Sequence, residues 1–189
     1  MKNYFISAAL AITLVTSCKE KKGSKEKEDK PISVLSIIKG QLNHLDTSLY
    51  QITKYETVGN KTDTAYVKRE EMMKLAAPFL SLPEIADKEY YNKYTEDRLI
   101  DAQQQTLNIT TTLKDNVEAE IQKQIVIIDI ADVSDGKIRS IFIDRYVTSG
   151  DSSIQQKLLW EIDNYFSIGT ITEKENQPDK TNYIKIVWE

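Results

Sequence analysis

The sequence predicts an α+β fold, with N-terminal helices, one of them long and amphipathic, packed on an antiparallel β-sheet meander of five to six strands. Three observations carry this reading. Apolar residues recur at three- and four-residue spacings between Val34 and Ile52. From Leu99 onward the period drops to two. The second half is punctuated by turn-forming pairs such as Asp135-Gly136 and Asp163-Asn164.

The apolar stripe Leu35, Ile38, Leu42, Leu45, Leu49 and Ile52 predicts a helix over 33–56, with Ser33 as N-cap and Gly59-Asn60 closing the segment. His44, the only histidine, lies beside that stripe. With no second His and no Cys nearby, it does not suggest a zinc site. A second helix is expected from Asp63 or Thr64 to Ala77, ended or kinked by Pro78, and a short third one around Pro83. Residues 89–94 then hold three of the ten tyrosines, Tyr90, Tyr91 and Tyr94. Such rings combine area with a hydroxyl, so they are binding candidates for sugar or peptide, set against a plain role covering the core.

Strands are expected at 106–113, 121–133 and 137–147 in the centre of the sheet. A two-residue turn at Asp135-Gly136 would join the last two. That register would put Asp129 opposite Phe142 and Ile127 opposite Asp144, leaving Asp129 and Asp144 diagonal neighbours. Further strands follow at 157–162, 165–174 and 183–188, with a polar loop over 175–181.

Composition narrows the function classes. Charged residues make up 29% and apolar ones 40%, a globular balance. The net charge of −4 argues against nucleic acid as a partner. The single cysteine leaves no disulfide to stabilise the domain.

That cysteine closes a leader of familiar design. Lys2 is followed by an apolar run from Tyr4 to Val15, the size of a secretory-signal core, and then by Thr16-Ser17-Cys18. The run Leu14-Val15-Thr16-Ser17-Cys18 resembles the lipobox of bacterial lipoproteins, and the whole chain resembles small cell-envelope lipoproteins. The resemblance implies a signal peptide over 1–17, cleavage by signal peptidase II, and a lipid-modified Cys18 as the membrane anchor. It also implies residence in the bacterial envelope. Lys19, in place of Asp, points to the outer membrane, at its periplasmic or surface face. Residues 18–31 then form the lipidated Cys and a charged tether with six Lys and four acids, and 32–189 a single domain.

Catalytic chemistry finds little support. A nucleophilic triad would have His44 as its only imidazole, and no Gly-x-Ser-x-Gly surrounds any Ser. The six scattered glycines make no phosphate loop. Asp129 and Asp144 are the candidate pair for acid–base work or a cation. No metal or other cofactor is expected. The leading expectation is a non-catalytic binding module with an envelope protein or glycan as partner. Its alternatives are an apolar-ligand carrier with a pocket between helix and sheet, and a hydrolase-type enzyme using the carboxylate pair.

Overall fold

The computed structural model describes residues 32–130 and 136–189; the leader, Cys18 and the tether lie outside the described residues. Helix α1 spans Val34–Thr47 and is followed by a hairpin of β1 (Ile52–Val58) and β2 (Lys61–Tyr66). A 3₁₀ turn at Arg69–Glu71 leads into three single-turn helices, α2 (Met72–Leu75), α3 (Ala77–Leu80) and α4 (Lys88–Tyr91). Seven strands then run in succession: β3 (Tyr94–Asp101), β4 (Thr106–Leu113), β5 (Ile121–Asp129), β6 (Lys137–Ser149), β7 (Ser152–Glu161), β8 (Tyr165–Lys174) and β9 (Gln177–Trp188). All nine join one antiparallel sheet in the order β2-β1-β9-β8-β7-β6-β5-β4-β3.

This overturns the expected architecture of N-terminal helices on a five-to-six-strand meander. The described residues form chiefly one nine-stranded sheet, and the long helix is less than two thirds of its expected length. Two competing preferences explain the shortfall. Thr47 Oγ1 donates to the His44 carbonyl (3.1 Å) and Ser48 Oγ to that of Leu45 (2.9 Å), so hydroxyls take the last carbonyls of the turn. Beyond them, Ile52, Thr53, Thr57 and Val58 are β-branched and better suited to a pleated strand. Gly59, at φ +60°, supplies the turn between Val58 and Lys61 that pairs this segment with residues expected to be helical.

The start of α1 is held by a residue far away in sequence. Glu84 Oε2 accepts from Ser33 Oγ (2.8 Å) and from the Leu35 backbone N–H (3.1 Å), while Ser33 Oγ caps the Ser36 N–H. A carboxylate beside the unpaired N–H groups of a first turn is favourable on both hydrogen-bonding and dipole grounds. At the middle of the helix, Gln41 exchanges two hydrogen bonds with Asp163 in the β7–β8 turn (3.0 and 2.9 Å).

The helices cover one face of the sheet. Ile38, Leu42 and Leu45 of α1 share a buried cluster with Phe79 of α3 and with Val126, Ile141, Ile143, Leu158, Trp160, Phe166, Ile186 and Trp188 of the strands. Rings dominate its centre. Trp160 stacks on Phe166 at 4.9 Å, and Phe79 meets both edge-on at 5.2 and 5.5 Å, an arrangement suited to the ring quadrupoles. The void bordering both α1 and the sheet holds only about 10 Å³.

Two further segments differ from expectation. Asp129 lies opposite Lys137, so residues 130–136 separate the paired ends of β5 and β6, and the register leaves no place for a two-residue Asp135-Gly136 turn. Residues 131–135 lie outside the described residues. The expected loop over 175–181 is instead a tight turn at Glu175-Asn176, with Asn176 at φ 59°, because Asn tolerates the left-handed region. Pro178 falls where the β8–β9 register shifts, a place in a sheet that tolerates a missing N–H.

Candidate functional site

Directly opposed residues of an antiparallel sheet share a face, so the register sorts every strand residue. One row on the face away from the helices runs Thr57, Tyr183, Gly169, Lys157, Asp144 across β1, β9, β8, β7 and β6. The next runs Thr181, Ile171, Gln155. Between these two rows lies a depression of about 270 Å³.

Its origin is one missing side chain. Gly169 forms the floor, where an added Cβ would stand 3.8 Å from the Lys157 carbonyl oxygen and 3.9 Å from Tyr183 Cδ2. The Tyr183 ring leans over the glycine and remains 43% exposed, so one wall is an aromatic ring open to a ligand. A ring covering a glycine across strands also supports the sheet. Thr57, Thr181 and Gln155 place hydroxyls and an amide around the rim, and Ile171 adds apolar surface. Lys157 is exposed, and no ion pair engages it among the described residues.

A second polar group lies lower on the same face. Asp129 pairs with Arg139, and Glu161 stands beside them. Burial pushes the Glu161 carboxyl above its usual value, and the Arg139 charge opposes this while Asp129 adds to it. Burial likewise raises Tyr165, across from Glu161, and the Lys185 ammonium sits 4.0 Å above the Tyr165 ring. These groups neutralise and stack on one another, which fits a cross-strand ladder rather than a reactive centre.

The structure separates most of the residues singled out in the sequence. Asp144 lies opposite Lys123 and accepts from Gln155 Nε2 at 3.4 Å, whereas Asp129 is at the far end of the β5–β6 pair. Six residues of β6 lie between their aligned positions, roughly 20 Å of strand, so the two carboxylates do not converge. The sequence register had placed them together because it counted from the Asp135-Gly136 turn.

Among the tyrosines, Tyr94 is buried, with its hydroxyl donating to the Ile121 carbonyl at 3.0 Å. Its hydroxyl pKa is pushed up to about 12, first by burial and then by the neighbouring Tyr90 and Glu120. Tyr90 is half-buried under the Lys93 ammonium (5.2 Å), and Tyr91 alone is exposed. They make no continuous aromatic platform. His44 is exposed, and no cluster of three metal-ligating side chains occurs among the described residues. Cys18, the expected lipidation site, lies outside the described residues.

Sequence reasoning passed over the depression entirely, since its residues come from four strands and share no local motif. Gly169 inside a β-branched run was the available signal, because an interior glycine in a strand marks a close approach or a gap. No known protein family, curated protein or solved structure matches this chain.

Proposed function

We propose that this protein is a lipid-anchored, non-catalytic binding module of a bacterial cell envelope, tethered through Cys18 with residues 19–31 as spacer. The Gly169 depression carries the binding part of the reading. It combines an exposed ring, several hydrogen-bonding side chains and an ammonium that, among the described residues, makes no ion pair, on a face that no described helix covers. Asp129 and Asp144 lie apart along β5 and β6, and the void bordering α1 and the sheet is small, so the binding reading has more support than the enzyme or carrier alternatives. The leader and its cysteine support the anchoring part and Lys19 the outer-membrane address, and the partner proposed is an envelope protein or glycan.

The test is capture from intact envelopes by the full-length lipidated chain, compared with Gly169→Val. Valine suits a strand, and the space above Gly169 admits its first carbon at ordinary contact distance. The expected outcome is an unchanged melting temperature with loss of the captured component. A variant that fills the depression and captures as well as wild type refutes the binding reading.

A further inference from the structure

We propose that the Gly169 depression binds one acidic sugar residue, a hexose-sized ring bearing a carboxylate, as a unit of a longer glycan. This rests on the reading of the chain as a binding module and names its ligand class. Four features of the site lead there.

Size comes first. At about 270 Å³ the depression is below the roughly 300–1,000 Å³ of sites that enclose a drug-sized ligand, so it takes one ring while the rest of a chain runs over the open face. The wall and rim come next. Tyr183 offers a ring face against which the C–H surface of a sugar packs, and Thr57, Thr181 and Gln155 offer the donors and acceptors that sugar hydroxyls require.

The backbone supplies the third. The floor belongs to β7, β8 and β9, interior strands whose N–H and C=O groups are used in the ladder, so recognition falls to side chains. That disfavours a phosphate, which is commonly held by free backbone N–H groups and more than one cation. Charge is the fourth. Among the described residues lining the depression Lys157 is the one cation and none is a carboxylate. Asp144, opposite Lys157 on β6, lies outside the lining and accepts from Gln155 without an ion pair to Lys157, so a single anionic group on the ligand finds a partner.

The probes are an oligogalacturonate and a neutral galactose oligomer of equal length, titrated calorimetrically against the full-length protein. The acidic oligomer is expected to bind about tenfold more tightly than the neutral one at low salt, and Lys157→Gln to erase that difference. Gly169→Val, folded to the same melting temperature, is expected to bind neither. Equal affinity of the wild type for both oligomers, no binding of either, or binding that survives Gly169→Val overturns the assignment. If neither oligomer binds while envelope capture still depends on Gly169, the ligand class fails and the binding module stands. If capture is also indifferent to Gly169→Val, both fall.

Discussion

Leu45 and Leu49 are one helical turn apart in the sequence pattern and sit at opposite extremes, 1% and 98% exposed. Truncating a buried leucine forfeits its transfer energy and leaves a cavity, so Leu45→Ala is expected to cost about 2–5 kcal/mol. Leu49→Ala touches no core and should stay within about 0.5 kcal/mol of wild type. Urea midpoints for the two variants check this, and similar midpoints would contradict the described end of α1.

Tyr94 gives a second outcome at this scale. Its hydroxyl pKa, raised to about 12 in the fold, means the folded state holds the proton more tightly than the unfolded chain, where tyrosine titrates near 10. Its contribution is complete below pH 10 and is lost as pH rises from 10 through 12. Tyr94→Phe should therefore flatten the alkaline stability profile over that interval while lowering stability at neutral pH by about 0.5–1.5 kcal/mol for the lost hydrogen bond. Denaturant midpoints measured from pH 8 to 12 read both effects.

At the scale of elements, the Ser33–Glu84 contact sets the start of α1 by a carboxylate from outside the helix. Glu84→Ala should cost about 1–2 kcal/mol, comparable to losing a good cap, and should speed amide exchange in the first turn of α1. Unaltered exchange there would show that the helix does not depend on it.

The far side of α1 is held through Asp163. Burial acts to raise its carboxyl, but hydrogen bonds from Gln41 and Lys137, with the Lys137 and His44 charges, outweigh it and hold it below the usual range. This support is present above the ordinary carboxylate range and fades as pH falls through the lowered value.

Some elements were legible in the sequence and others were not, for physical reasons. The bounds 106–113 and 165–174 coincide with β4 and β8, where alternation and β-branching agree. The β1–β2 hairpin was misread because Leu49 and Ile52 happen to continue the helical spacing. That spacing says nothing of the hydroxyls at 47 and 48, which end the helix. The Asp135-Gly136 dipeptide is a strong local turn signal, but the β5–β6 pairing sets Asp129 opposite Lys137, and that long-range register is not encoded in the dipeptide.

For the whole molecule, the candidate site was less legible than the fold. Its parts are spread from Thr57 to Tyr183 and meet only through strand order, which local patterns do not encode. The proposed anchor, by contrast, is a local sequence matter. Cys18→Ala is expected to abolish metabolic labelling with a fatty acid and leave the leader uncleaved by signal peptidase II. Labelling that persists in the variant refutes the anchor.

The placement of β9 between β8 and β1 reaches beyond stability to the order of events during synthesis. The β1–β2 hairpin emerges from the ribosome early, yet among the described strands its one link to the sheet is β9, made after all the others. Residues 52–66 must wait for residues 177–188, a pairing over most of the chain's length, and such distant pairing is slow to form. A nascent chain of this design stays incompletely closed until translation of the domain is finished. Under the export proposed from the leader, such an open chain is the form that threads through a translocation channel, where a closed sheet would jam. It also makes removal of residues 177–188 an excision from the interior of the sheet, which strands the hairpin and opens the aromatic core at Trp188.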